Sequence, residues 1–367
     1  GSISKDSTVY VGDHKKPTKL AHIFTVQGKD HAEIDAAVAG DICAVMKVEE
    51  LGLGEVIHAT PNGKLKLWSE SYPEPMFGLA VESKKRGDEQ KIADALHKIK
   101  SEDPTFKMLR NAVTHELVIY GLGEQHLRMI LDKMKVKFGL EVDTHPPKIA
   151  YKETIGAQGE GHHRHKKQSG GAGQFGEVYL RVKPLERGAG FEFVDDTFGG
   201  NPPKQFLPAI EKGVRMVMES GCIAGYPMQD VRVEVYDGKH HDVDSKEVAF
   251  ITAGKKAFID GVMKAKPQVL EPIVHIEVTV PNKHMGDITG DLSRKRGRVQ
   301  GTDMLPGDLA VIKAQVPLAE VANYQNQLKS VTGGQGTFTM EFSHYDPVPG
   351  NVQAQIVAQY KPHAEED

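Results

Sequence analysis

Two distant stretches of the chain carry the same succession of hydrophobic patterns, and this repetition constrains the fold more tightly than any other feature. In the first, Glu74-Pro75 leads into the apolar run Met76-Phe77-Gly78-Leu79-Ala80-Val81. Ile92, Leu96 and Ile99 then fall on one helical face. Two strand-like runs follow, the second being Glu116 to Tyr120. Leu127, Ile130, Leu131, Met134 and Phe138 form another helical stripe, stopped at Gly139 as a left-handed cap would stop it. Leu140-Glu141-Val142 closes the unit. In the second stretch, Glu271-Pro272 leads into Ile273 to Val278, and a helix carrying Met285, Ile288 and Leu292 ends at Gly297. Strands at Arg298–Gln300 and Ala310–Ala314 come next, then a helix with Val321, Tyr324 and Leu328, then a strand from Thr337 to Phe342. Both units read βαββαβ, the ferredoxin-like order, which lays two helices on one face of a four-stranded antiparallel sheet.

The flanking segments read differently. Ser7–Val11, Leu20–Val26 and Asp41–Met46 are short strands punctuated by Gly, Asp and Lys, as in part of a small β-barrel. Between the repeats lies another module. It has a strand from Phe175 to Lys183 and a helix from Pro208 with Ile210, Val214, Val217 and Met218 on one side, stopped at Gly221. A strand at Val231–Val235 follows, then a helix opened by Asp244 and Glu247 at capping-box spacing. Val352 to Tyr360 read as a terminal helix. The expected fold class is therefore multidomain α+β.

Within 367 residues, 39% are hydrophobic, enough for several separate cores. No apolar run reaches the roughly 20 residues of a membrane-spanning helix. Gly1-Ser2 reads as a cloning remnant and Ile3 opens inside a strand-like run, so the sequence is expected to start within a longer protein. Two cysteines, Cys43 and Cys222, fall in different modules, which speaks against a disulfide framework and for a reducing cytoplasm. The net charge of −4 excludes a uniformly basic nucleic-acid binder, yet two basic runs stand out. They are Arg164-His165-Lys166-Lys167 and Arg294-Lys295-Arg296 with Arg298. On charge alone, two solvated faces would explain them.

Enzymatic readings fare poorly. Gly171-Ala172-Gly173-Gln174-Phe175-Gly176-Glu177-Val178 matches a kinase-type glycine loop, but the other kinase motifs are absent and a basic run precedes it where a dinucleotide fold needs a strand. No phosphate-loop motif occurs, and Asn282-Lys283-His284-Met285 falls short of a guanine-reading motif. His162, His163 and His165, with a second group at His240, His241, Asp242 and Asp244, raise a metal alternative, but the first group sits among cations. Residues 161–174 read instead as a supple cationic loop. Arg164, Lys166 and Lys167 can neutralise phosphates, Gly170, Gly171 and Gly173 allow close backbone approach, and Ser169, Gln174 and His241 can hydrogen-bond to sugar or base edges.

The longest motifs are Gln168 to Gly176, Ala224-Gly225-Tyr226-Pro227, His241-Asp242-Val243-Asp244-Ser245, Gly290 to Gly297, Gly121 to Leu127 and Thr339-Met340-Glu341-Phe342. In these, and in their order, the sequence resembles the bacterial elongation factor G family. The resemblance implies part of a second-domain β-barrel at residues 3–70 and a ferredoxin-like third domain at 73–146. It implies a fourth domain with a left-handed βαβ crossover at 147–269 plus 346–362, and a ferredoxin-like fifth domain at 270–345. It further implies a ribosome-binding protein, monomeric and cytoplasmic, that promotes tRNA–mRNA translocation. Its partners would be rRNA, ribosomal proteins and the tRNA–mRNA pair at the decoding site, with no membrane contact. GTP and magnesium would belong to a GTP-binding domain outside this fragment, which itself would carry no cofactor and no catalysis. The fourth-domain tip would be Arg164, Lys166, Lys167, Ser169, Gly170, Gly171, Gln174, His241 and Asp242. Arg294, Lys295, Arg296 and Arg298 would lie near large-subunit rRNA. The main branch of the family has arginine where this chain has Ala172, and the altered loop resembles an elongation-factor-G-like paralogue group. A role in ribosome recycling or ribosome protection is the alternative.

Overall fold

The repeat takes one strand order twice. In the computed structural model, which describes residues 1–61, 71–167 and 173–360, the first unit has the sheet order Lys107–Arg110, Leu117–Gly121, Phe77–Ser83, Val142–His145. Its helices are Glu89–Lys100 and Glu124–Phe138. They bury the predicted stripes: Ile92, Leu96 and Ile99 on one, Leu127, Ile130 and Met134 on the other. Gly139 ends the second helix at φ 65°, the left-handed cap that its position suggested. In the second unit the order is Arg298–Leu305, Leu309–Pro317, Pro267–Pro281, Thr337–Pro347. Both orders place the outer strands of the unit as a ferredoxin-like fold requires.

Two details of the second unit depart from expectation. The single helix expected through Val321, Tyr324 and Leu328 is two pieces, Leu318–Val321 and Tyr324–Thr332. The helix Met285–Arg294 is not stopped by a left-handed glycine. Arg296 takes the positive φ of 60°, while the amide of Gly297 reaches back to the carbonyl of Leu292.

Residues 1–61 form three small sheets of short strands, and among the described residues no closed barrel is made. The run predicted as one strand breaks into Thr18–Leu20 and Ile23–Gln27. Val9, Val11, Leu20 and Ile23 supply its small core.

The middle module is a four-stranded sheet, ordered Gly159–Lys167, Gln174–Pro184, Val231–Lys239, Phe191–Asp195, with helices Leu207–Ser220 and Glu247–Lys264 on one face. The last two strands are parallel, joined through the first helix, and the other pairs are antiparallel. Val178, Leu180, Val182, Val233 and Val235 from the sheet meet Ile210, Val214, Phe250 and Phe258 from the helices. Burying each such side chain contributes about 1.5–3 kcal/mol. Gly159–Lys167 is a correction: the run expected to be a loop is an edge strand. Its inward positions include Gly159 and Gly161 rather than large apolar residues. A Cβ on Gly161 would lie 2.0 Å from the carbonyl of Ala257, so the helix backbone packs directly on the strand.

One strand, Pro267–Pro281, joins the middle module to the second ferredoxin-like unit. Its first residues pair with Lys152–Ile155 and its remainder with the unit's own strands. Beside that seam, the carboxylate of Glu153 is fully buried and accepts four backbone N–H groups. Cys222 (2.6 Å) and Ile223 (3.0 Å) donate to one oxygen, and Ala224 (2.8 Å) and Tyr226 (3.1 Å) to the other. The terminal helix Gly350–Gln359 covers this loop, packing Val352, Ile356 and Val357 on Ala224 and Val269. Cys43 and Cys222 are both free thiols. Among the described residues no helix is long and apolar enough to cross a membrane.

Candidate nucleic-acid interface

Strand alternation sorts the basic histidine-rich run onto two faces. His163 lies toward the helix Glu247–Lys264; burial, together with the positive charge of Lys256, holds its pKa below the usual histidine value. His162, Arg164 and Lys166 point to the face away from the helices and are exposed. The histidines therefore diverge, and no group of three ligands able to hold a metal occurs among the described residues. His162 stacks on Tyr179 at 4.1 Å and contacts Glu177 at 2.9 Å. Burial pushes the pKa of Glu177 up, but hydrogen bonds from His162 and Tyr179 outweigh it and hold the carboxylate below its ordinary range.

Lys167 and Gln174 lie at the same end of the sheet as the segment after Lys239, because Lys167 pairs with Gln174 and Glu177 pairs with Lys239. At that end the two segments are tied together. The amide of Phe175 donates to the carbonyl of Asp244 (2.9 Å), and the Ser245 hydroxyl donates to the carbonyl of Phe175 (3.0 Å). The same hydroxyl accepts the amide of His241 (2.8 Å). The Nδ1 of His241 faces the amides of Val243 and Asp244, each 3.3 Å away. The same Nδ1 lies 3.6 Å from the carboxylate of Asp244. Asp244 is drawn into this arrangement: Gly173 packs so close to its carboxylate that a Cβ would lie 2.9 Å away. It forms no capping box, and the helix starts at Glu247 after an uncapped Lys246.

Arg164, Lys166, Lys167, Gln174, His241 and Asp242 are thus collected at one end of one sheet. Ser169, Gly170 and Gly171 lie outside the described residues. Arg164, Lys166 and Lys167 form no ion pair with another described residue. Farther from this end, on the face that carries Arg164 and Lys166, the cations are neutralised: nearly buried Glu234 pairs with Lys183 at 2.7 Å and Arg181 at 3.5 Å, and Arg181 also reaches Glu160 at 3.3 Å. Sequence reasoning missed Phe175 as part of the site. Its ring lies 5.2 Å from the guanidinium of Arg164 and meets His241 edge-on at 6.4 Å. The available signal was its place two and four residues before Glu177 and Tyr179, on the same face.

The second basic run is divided. Arg294 is 78% exposed and Arg298 is exposed. Lys295 folds back on Asp291 at 3.2 Å. Arg296 points inward, bonding both oxygens of buried Glu271 and, through Nε, Glu320 at 2.9 Å. These hydrogen bonds raise its pKa further. Its donors are committed within the fold, which leaves Arg294 and Arg298 as the outward cations of this run.

The sequence matches three family descriptions in succession: Elongation Factor G, domain III, over residues 72–146; Elongation factor G, domain IV, over 147–266; and Elongation factor G C-terminus over 268–356. It is 41% identical to an elongation factor G-like protein of Thermotoga maritima, over 92% of this chain and 50% of that protein. It is 39% identical to elongation factor G of Aquifex pyrophilus, over 98% of this chain and 51% of that protein. A crystal structure of a Thermus thermophilus protein superposes with a TM-score of 0.78 at 36% identity, covering 98% of this chain and 54% of that one. The chain spans about half the length of the curated relatives it matches. Three consecutive domains of one family, in order, together with relatives about 40% identical along nearly the whole sequence, place the chain in the elongation factor G family.

Proposed function

We propose that this chain is the RNA-contacting arm of a ribosomal translocase. The end of the middle sheet that carries Arg164, Lys166, Lys167 and His241 enters the decoding site and follows the tRNA–mRNA pair. Arg294 and Arg298 face large-subunit rRNA, and a GTP-binding domain elsewhere in the whole protein supplies the switch. The observation that carries this reading is the uneven neutralisation of one sheet face. On that face Arg181 and Lys183, away from the tip, are paired with carboxylates, while Arg164 and Lys166 at the tip have no ion pair with a described residue. Cations without intramolecular partners are the ones that release counterions when they meet phosphate.

Two measurements test it. Co-sedimentation of the chain with ribosomes should weaken steeply with salt, and the R164A/K166A/K167A chain should show a shallower dependence. An unchanged salt slope would count against phosphate contact at the tip. In the whole protein, His241→Ala should slow tRNA movement on pre-translocation ribosomes while ribosome-triggered GTP hydrolysis stays near normal. Equal loss of both would refute the division between lever and switch. A second reading, a recycling or specialised factor of the same architecture, draws on Ala172, where the resemblance expects arginine. Full translocation activity by the whole protein decides against it.

A further inference from the structure

Arg164 is a long, exposed side chain with no carboxylate to fix it among the described residues, yet it lies against a ring: its guanidinium carbon is 5.2 Å from the centre of Phe175. The same ring meets the imidazole of His241. Phe175 is itself held firmly. It is half-buried, its amide and carbonyl are both bonded to the segment that carries His241, and its strand is paired on both sides. We infer that Phe175 is a positioning residue for RNA recognition: its ring fixes the guanidinium of Arg164 beside the imidazole of His241, so that together they take one phosphate and the adjoining sugar or base edge of a single RNA strand. This inference rests on the RNA-binding reading of the tip.

The physical reason is preorganisation. An unrestrained arginine must give up its rotamer freedom when it binds. A guanidinium already resting on an aromatic face has lost much of that freedom beforehand. Exposed cation–π contacts correspond to about a two- to fivefold change in an equilibrium constant. The Phe175 side chain carries no charge and offers no hydrogen bond, and its half-buried ring is already engaged by Arg164 and His241; an effect on RNA affinity that passes through those two neighbours disappears when both are removed, whereas direct stacking of a base on the ring does not. A ring that merely filled space would be replaced by leucine without consequence for either neighbour.

The test uses the 367-residue chain as F175L, F175Y, R164A/H241A and the triple variant F175L/R164A/H241A. In the chain labelled with 15N-arginine, the Nε–H signal of Arg164, assigned by its loss in R164A/H241A, should lose its ring-current shift in F175L and keep it in F175Y. Ribosome affinity at fixed salt should fall about two- to fivefold in F175L, stay near wild type in F175Y, and fall no further when F175L is added to R164A/H241A. An unchanged Arg164 signal in F175L, wild-type binding by F175L, or an equal loss in both backgrounds overturns the inference alone. Wild-type binding by R164A/H241A overturns the RNA reading of the tip and the inference with it.

Discussion

Replacing Glu153 with glutamine changes one oxygen into an amide nitrogen, with little change in volume. The carboxylate is fully buried and satisfies four backbone N–H groups of the segment 222–226, two on each oxygen. Glutamine keeps one accepting oxygen. Its NH2 then faces two N–H donors, which lose their acceptor in a site that water does not reach. A hydrogen bond to a charged group contributes about 1.5–3 kcal/mol, and an orphaned buried donor costs about 1–3 kcal/mol. Allowing for relaxation of the loop, the substitution should destabilise this region by about 3–5 kcal/mol. The chain has several modules, so a single global unfolding energy is ill-defined. Native-state hydrogen exchange read by mass spectrometry on peptides spanning 221–227 and 350–359 is the suitable assay. Protection there should drop by about a hundredfold or more, because 1.4 kcal/mol is a factor of ten. The terminal helix should lose protection together with the loop, since Val352, Ile356 and Val357 rest on it. A loss of less than tenfold, or one confined to the loop with the helix unaffected, would refute the claim that this single carboxylate organises the seam.

Three further outcomes are expected. His163 has a pKa below the ordinary histidine value when folded, so the unfolded chain binds its proton first as pH falls; stability should decline from near pH 6.5 downward, and urea midpoints for His163→Gln should be flatter between pH 7.5 and 5.5. Gly161→Ala places a methyl group 2.0 Å from a helix carbonyl oxygen, and since the neighbour is backbone it should lower the stability of the middle module by about 2–3 kcal/mol, seen as lost hydrogen-exchange protection in peptides spanning 159–167 and 247–264. Arg296→Ala strands the buried carboxylate of Glu271 and should cost about 2–3 kcal/mol, less than a fully buried pair because the guanidinium is 28% exposed; Arg294→Ala should change stability by less than about 0.5 kcal/mol yet weaken ribosome binding at low salt.

Legibility followed the apolar pattern. The helices Glu89–Lys100, Glu124–Phe138 and Leu207–Ser220 were readable because each buries a stripe at helical spacing. The strand Gly159–Lys167 was not, because its inward positions hold glycine and histidine, and its burial comes from a helix backbone in close contact. A residue chosen for having no side chain leaves no hydrophobic signal. The same limit applied at the site. The tip cations were visible as a charge run, but the inward turn of Arg296 depends on a left-handed backbone at one position and on Glu271 far along the chain. Phe175 was hidden because an aromatic residue in a strand ordinarily reads as core. Asp244 and Glu247 had the spacing of a capping box, but the hydrogen bond from the Phe175 amide to the Asp244 carbonyl holds that segment in the tip instead.

The distribution of charge and the continuity of the backbone point the same way. The RNA-contacting arm proposed above needs an end that attracts phosphate and a shaft that does not, because a uniformly cationic arm would bind wherever it first touched. On the middle sheet, Glu234 and Glu160 quench Arg181 and Lys183, while Arg164, Lys166 and Lys167 have no such partner among the described residues. That proposed role also requires a stiff base. Here the strand Pro267–Pro281 pairs with Lys152–Ile155 at one end and with Leu309–Pro317 and Thr337–Pro347 of the ferredoxin-like unit along the rest. Displacing the arm against that unit would mean breaking ladder hydrogen bonds, not bending a linker. Glu153 lies in the short strand of this seam and holds the loop on which the terminal helix packs, so the same residues that seat the terminal helix also stiffen the root of the middle module.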